Sequence, residues 1–169
     1  LLAADLRISS PEPIPEEWID LAKERKLDLA SSQSFPSVVY SQDGNALARI
    51  KAVSSMYPLR GTVRISDNDI SDEYEVKKIP SPSEVWVDQA ILYRLNAEIG
   101  DEISIGNSDF KITAILRYRP DQSIGFASFS PTVLINISSI PGTGLITQGS
   151  RVNYSMLVAG KNDEVQTFS

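Results

Sequence analysis

The sequence predicts an α+β fold: a ferredoxin-like β-α-β module interrupted by a mixed, mainly β insert. Three observations predict it. The first and last segments alternate apolar and polar residues, the period-two pattern of half-buried strands. One charged, amphipathic helical stretch follows the opening strand. Between residues 58 and 150 the pattern changes to short strands and a single helix, punctuated by Pro and Gly. Residues 1–57 plus 151–169 then form one module, and residues 58–150 form the insert.

Leu2, Ala4, Leu6 and Ile8 alternate with Asp5, Arg7 and Ser9, which predicts the first strand. Pro11, Pro13 and Pro15 make a stiff connection, and Pro15 suits a first helical position. Glu16 and Glu17 follow it, and Lys23, Arg25 and Lys26 crowd the other end, an order that matches the helix dipole. A helix is predicted over 15–26, with Trp18, Leu21 and Ala22 on its buried face. Residues 34–42 read as a strand with Pro36 at an edge or entry. Asp43-Gly44 signals a two-residue hairpin. Residues 45–54 return with Ala46, Ala48, Ile50 and Ala52 as a small apolar face able to lie under a helix.

The stretch 56–61 breaks the pattern and marks a boundary. A strand over 62–66 leads into 67–75, which holds five acids and no base. Pro80 and Pro82 introduce a strand over 84–87. Asp88 suits the N-cap of a helix carrying Ile91, Leu92, Leu95 and Ile99, ended by Gly100. Ile103 and Ile105, then Phe110, Ile112, Ala114 and Leu116, flank Gly106-Asn107 as a second hairpin. A strand is expected over 132–136, an irregular connection over 140–144, and a long strand over 151–159. Residues 162–169 open a helix whose pattern breaks off, so a final strand is expected beyond them and the chain reads as a segment of a longer protein. With that strand the outer parts make two β-α-β halves on one sheet, with both ends leaving from one side. Trp18 and Trp86 are the expected core anchors, one per module.

The chain has 169 residues, 16 Lys+Arg, 22 Asp+Glu, no Cys and no His, for a net charge of −6. That excludes disulfides, Cys or His metal sites, and Ser-His or Cys-His catalytic pairs. The acidic balance argues against a nucleic-acid partner. No apolar run approaches the roughly 20 residues that span a bilayer. Ser108 and Lys111 have the spacing of some acylating hydrolases, but they straddle a turn and a strand. The acidic run reads as a solvated loop. Calcium is its alternative, although the EF-hand order is missing. No catalytic, cofactor-binding or metal-binding residue is assigned.

Three blocks of residues carry a resemblance. They are Lys51-Ala52-Val53 with Tyr57-Pro58-Leu59-Arg60-Gly61; Val85-Trp86-Val87-Asp88 with Leu95, Gly100-Asp101 and Ile103-Ser104-Ile105-Gly106; and Thr143-Gly144-Leu145-Ile146 through Gly149-Ser150-Arg151-Val152-Asn153-Tyr154 to Leu157-Val158-Ala159-Gly160. In order and over nearly the whole chain, they resemble the first periplasmic domain of YbbP-like ABC transporter permeases, in the MacB/FtsX superfamily. The resemblance implies a porter module with a sabre insert, held between two membrane helices of an inner-membrane protein, on the periplasmic side. It implies as partners those helices, a second permease subunit or half, a cytoplasmic ABC ATPase, and lipid-like or lipoprotein cargo. It implies coupling of motion rather than catalysis. The family pattern places a base after Ser130-Pro131, where this chain has Thr132.

Pro58 and Gly61 at the boundary, with Gly149 at the return, are the expected hinge. Arg117 and Arg119 lie two apart, so a strand points both to one side. They are candidates to contact an acidic partner or an anionic lipid head group, a solvated strand end being the plainer reading. Phe126 and Phe129 are candidates for apolar partner contact, closure over the insert's core being the plainer reading. Two rival functions make distinct demands. A free-standing solute- or peptide-binding domain needs a deep apolar pocket, and a carboxylate-dependent hydrolase needs paired acids in a cleft.

Overall fold

The computed structural model describes residues 3–121, 130–146 and 151–160. Its elements are β1 (Leu6–Ser10), α1 (Glu16–Glu24), β2 (Asp28–Tyr40), β3 (Asn45–Val53), β4 (Val63–Ser66), β5 (Tyr74–Val76), β6 (Glu84–Val87), α2 (Gln89–Leu95), β7 (Glu102–Ile105), β8 (Ser108–Tyr118), β9 (Thr132–Asn136), a 3-10 turn, α3 (Ile140–Thr143) and β10 (Asn153–Ala159). The described strands form one sheet in the order β1-β10-β2-β3-β9-β6-β8-β4-β5, and β7 bridges β2 and β8. The molecule is mixed α and β, and mostly sheet.

β10 lies between β1 and β2 and is antiparallel to both. β1 and β2 therefore run parallel, joined through α1, as a split β-α-β unit. α1 starts one residue later than the sequence predicts, with Pro15 as its N-cap residue. Its buried stripe is Ile19 and Ala22, packed with Leu27 against Leu6, Ile8, Met156 and Val158. Trp18 falls beside that stripe and is 43% exposed, so it is not the anchor expected of it. Trp86, in contrast, is 3% exposed and packs among Val53, Tyr57, Leu134 and Leu157.

β2 begins six residues earlier than predicted. Its first half is Ser-rich and carries little apolar signal, but β10 pairs along all of it and β3 joins from the other side at Ser32. Pro36 falls between Ser34, the last residue to pair with β10, and Val39, the first to pair with β7. A residue without an N–H suits that gap. At the hairpin Ser41 N donates to Gly44 O at 2.8 Å, so the loop residues are Gln42 and Asp43. The turn is shifted by one residue from Asp43-Gly44.

Ala46, Ala48, Ile50 and Ala52 are buried as a small face under a helix. That helix is α2, through Ile91, Leu92 and Leu95. α2 stops at Asn96, whose φ of 51° turns the chain, so Ile99 and Gly100 belong to the turn that follows. β6 and β9 occupy the predicted ranges, and α3 stands where an irregular connection was expected. The main core draws Val39 and Ile50 together with Val87, Ile103, Ile112 and Val133. Residues from both sides of position 58 thus share one core. Pairing of β3 with β9, and of β2 with β7, stitches the two sequence parts together.

A buried charged junction as the candidate functional site

β3, β8, β9 and α2 converge on a charged cluster that the sequence does not announce. Lys51 projects from β3, Arg119 and Asp121 follow β8, Thr132 opens β9, and Asp88 precedes α2. Lys51 Nζ lies 2.6 Å from Asp121 Oδ2, with side chains 13% and 2% exposed. Tyr57 donates its hydroxyl to Asp121 Oδ1. Arg119 reaches the same oxygen at 3.4 Å, and its other terminal nitrogen donates to Thr132 Oγ1 at 3.3 Å. Thr132 N donates to Asp88 Oδ2 at 2.7 Å, and Asp88 N returns a bond to Thr132 O at 3.0 Å. The Tyr57 ring centroid sits 5.7 Å from Lys51 Nζ.

The electrostatics follow from burial and pairing. Burial alone would raise the Asp121 carboxyl, but Lys51, the Tyr57 hydroxyl and Arg119 together hold it below its ordinary range. Burial pushes the Lys51 ammonium down, against the pull of Asp121. Burial and then Asp121 push the Tyr57 phenol up, so it stays a neutral donor. Burial raises the Asp88 carboxyl, partly offset by the Thr132 amide and Arg119. The cluster sets the cations Lys51 and Arg119 beside the carboxylates Asp121 and Asp88, so its charges balance within the fold.

Thr132 also accounts for the missing base. It is 4% exposed and accepts from Arg119, so a cation at this position would face another cation. Sequence reasoning missed Lys51, Asp121 and Asp88 as a unit because the partners are distant in sequence: Tyr57 and Asp121 are 64 residues apart, and Asp88 and Thr132 are 44 apart. The available signal was a lysine within a strand whose neighbours Ile50 and Ala52 are both apolar.

The predicted site residues fall as follows. Gly61 has φ of +77°, and a Cβ there would lie 2.8 Å from Pro120 Cβ, so the boundary turn packs directly on the end of β8. Pro58 is half-buried beside Tyr57. Arg117 is not a freely solvated strand end. It donates to Ser66 Oγ at 2.9 Å, Gln89 Oε1 at 2.8 Å and Asp69 O at 3.3 Å, tying α2 to the acidic loop. Arg119 belongs to the junction. Gly149, Phe126 and Phe129 lie outside the described residues.

At the boundary, Asp5 holds three segments together. Arg60 binds it through Nε at 3.1 Å and Nη2 at 2.9 Å, and Gly160 N donates to it at 3.0 Å. Leu59 N and Arg60 N both donate to Ala3 O at 2.9 Å. In the acidic loop, Asn68 Oδ1 accepts from Ile70 N and Ser71 N, and Arg64 pairs with Glu73 at 2.7 Å. Within the described residues no three acidic side chains are grouped to hold a metal. A cavity of about 710 Å³ is lined largely by polar and acidic residues such as Asp43, Asp69, Gln89 and Glu98, not the deep apolar pocket of a solute-binding domain. Ser108 and Lys111 both lie on β8, three residues apart, where a strand turns them to opposite faces.

No helix among the described residues is long and apolar enough to cross a membrane. No protein-family model matches the chain. It is 23% identical over 167 residues to the uncharacterized ABC transporter permease YbbP of Escherichia coli (strain K12). The match covers 99% of this chain and spans 20% of that permease's length. The extracellular domain of the noncanonical ABC-type transporter YknZ from Gram-positive bacteria superposes with a TM-score of 0.60 at 10% identity, covering 96% of this chain and 88% of that one. The periplasmic region of MacB from Actinobacillus actinomycetemcomitans superposes with a TM-score of 0.55 at 12% identity, covering 89% and 70%. In sequence along its whole length and in fold, this chain resembles the MacB-like periplasmic domain of an ABC transporter permease.

Proposed function

We propose that this chain is the extracytoplasmic domain of an ABC transporter permease in the inner membrane, and that it relays motion rather than catalysing a reaction. The observation that carries the reading is the match of 99% of the chain to one stretch of a permease. In this reading the ATPase is a separate cytoplasmic subunit, the chain is flanked by membrane helices, and a second permease subunit or half stands beside it. The cargo is lipid-like or lipoprotein.

The division into a ferredoxin-like porter module, 1–57 plus 151–169, and a sabre-like insert, 58–150, is part of the proposal. The split unit of β1, α1 and β2 with β10 between them supports it. So does the separate small core under α1. The two parts share the larger core, so the proposed bend runs along the β3–β9 and β2–β7 pairings, with Pro58, Gly61 and Gly149 at the chain crossings. The Lys51–Asp121 junction spans that seam and holds it in register. Arg117, Phe126 and Phe129 remain the proposed partner contacts, while Arg119 serves the junction.

These 169 residues contain no Cys, so an introduced pair has no competing thiol within them. Tyr40 and Ser104 are antiparallel partners across the seam, at a separation a disulfide tolerates. Tyr40→Cys with Ser104→Cys in the intact permease should halt export when oxidised and restore it on reduction. Undiminished export by the oxidised protein defeats the relay.

A further inference from the structure

We propose that the open face of the β2–β3 hairpin is a docking surface for the acidic loop, residues 67–75, of a second copy of this chain. The inference stands apart from the transport reading. Register places Pro36 opposite Arg49 and Val38 opposite Leu47, with Tyr40 next along. Alternate residues of a strand share a face, so these five side chains lie together. Val38, Tyr40 and Leu47 are 39, 52 and 54% exposed. Three large apolar side chains adjacent on one face make a patch, unlike singly scattered ones.

The patch runs into a groove of about 600 Å³ whose lining includes Ser9, Ser34, Pro36, Arg49, Arg151 and Asn153. Among the described residues no carboxylate lines it, although the chain carries a net charge of −6. Arg49 and Arg151 are both exposed, and neither forms an ion pair among the described residues. The surface is therefore apolar at one end and basic at the other. It suits a guest with an apolar tip and flanking carboxylates.

The chain presents such a guest. Ile70 is 90% exposed, more than any other large apolar residue described. Asp69 and Asp72 flank it, exposed and without an ion pair among the described residues. The bonds from Asn68 Oδ1 to Ile70 N and Ser71 N hold this tip in shape. The loop joins β4 to β5 at one end of the sheet, and the groove lies among β1, β10, β2 and β3 at the other. The contact is thus between copies and heterologous. Asp43, Glu102 and Asp109 line a second cavity beyond Tyr40 and repel an acidic guest there. Ile70 then rests on Val38 and Leu47, with its neighbouring carboxylates turned to Arg49 and Arg151.

Sedimentation velocity on the 169-residue chain tests this across concentration and salt. Mass should rise with concentration and the rise should weaken as salt screens the exposed charges. Arg49→Glu with Arg151→Glu should weaken self-association about tenfold, and so should Asp69→Lys with Asp72→Lys. Mixing the two reversed variants should restore it, because their charges are again complementary. Ile70→Ser lies outside every core cluster, so it weakens association without touching the fold. A chain that stays monomeric throughout, association indifferent to the reversals, or reversed variants that fail to complement, overturns the proposal. Binding of a monomeric chain to phosphatidylglycerol vesicles, lost in the arginine variant, also overturns it and assigns the arginines to lipid.

Discussion

Asp121 and Lys51 form an ion pair at 2.6 Å whose partners come from opposite sides of the boundary at residue 58. The Asp121 side chain is 2% exposed, and Tyr57 and Arg119 bond to it as well. Removing one member leaves a buried charge without its partner, which is far costlier than losing a surface pair. Asp121→Ala should therefore lower stability by about 3–5 kcal/mol, read from denaturant unfolding. Lys51→Met with Asp121→Leu removes both charges and should cost less than the two single changes summed. A strictly additive double variant would show that the two residues act independently.

Acid should loosen this junction in a defined way. Asp121 titrates in the folded chain below its ordinary value, so the native state binds fewer protons than the unfolded one. The stabilisation is complete above about pH 4 and is lost as pH falls through the lower folded value. Asp88 has the opposite sign. Its folded value is raised, so its contribution is present in acid and is lost as pH rises through that value. Melting temperatures followed from neutral pH into acid should show an acid slope that Asp121→Asn flattens. An unchanged slope in that variant rules Asp121 out as its source.

The two tryptophans should behave oppositely. Trp86→Ala empties a site enclosed by Val53, Leu134 and Leu157 and should cost about 3–5 kcal/mol. Trp18→Ala removes a side chain that is 43% exposed and should cost under about 1 kcal/mol. Equal losses in thermal or denaturant unfolding would contradict the packing described.

Two glycines separate backbone strain from steric overlap. Gly100 has φ of +98° and open space where a Cβ would stand, so Gly100→Ala should cost about 1 kcal/mol from conformation alone. Gly106 has φ of +57°, and a Cβ there would lie 2.2 Å from Thr143 O. Gly106→Ala must also push α3 away from the β7–β8 turn, so it should lose at least twice as much by the same unfolding measurement.

Much of the fold was legible because its signals are local. Alternation located β3, β7 and β8, and the ranges of β6 and β9 were predicted without error. The same logic failed where partners rather than patterns decide. The first half of β2, running Asp28-Leu29-Ala30-Ser31-Ser32-Gln33-Ser34, is a strand because β10 pairs with it throughout and β3 from Ser32 onward, not because its own residues alternate. Trp18 misled because residue type outweighed position: the stripe through Ile19 and Ala22 sets the buried face. The junction was illegible for a related reason. A buried lysine looks like any lysine until its carboxylate, 70 residues away in sequence, is brought to it.

The Asp5 clamp has a consequence for topology. Gly160 N lies 3.0 Å from Asp5 Oδ2, although 155 positions separate the two residues along the chain. The segment that leads into β1 and the one that leaves β10 therefore start side by side at one edge of the sheet. Bringing them together closes a loop of 155 positions, a cost that grows only slowly with the length enclosed.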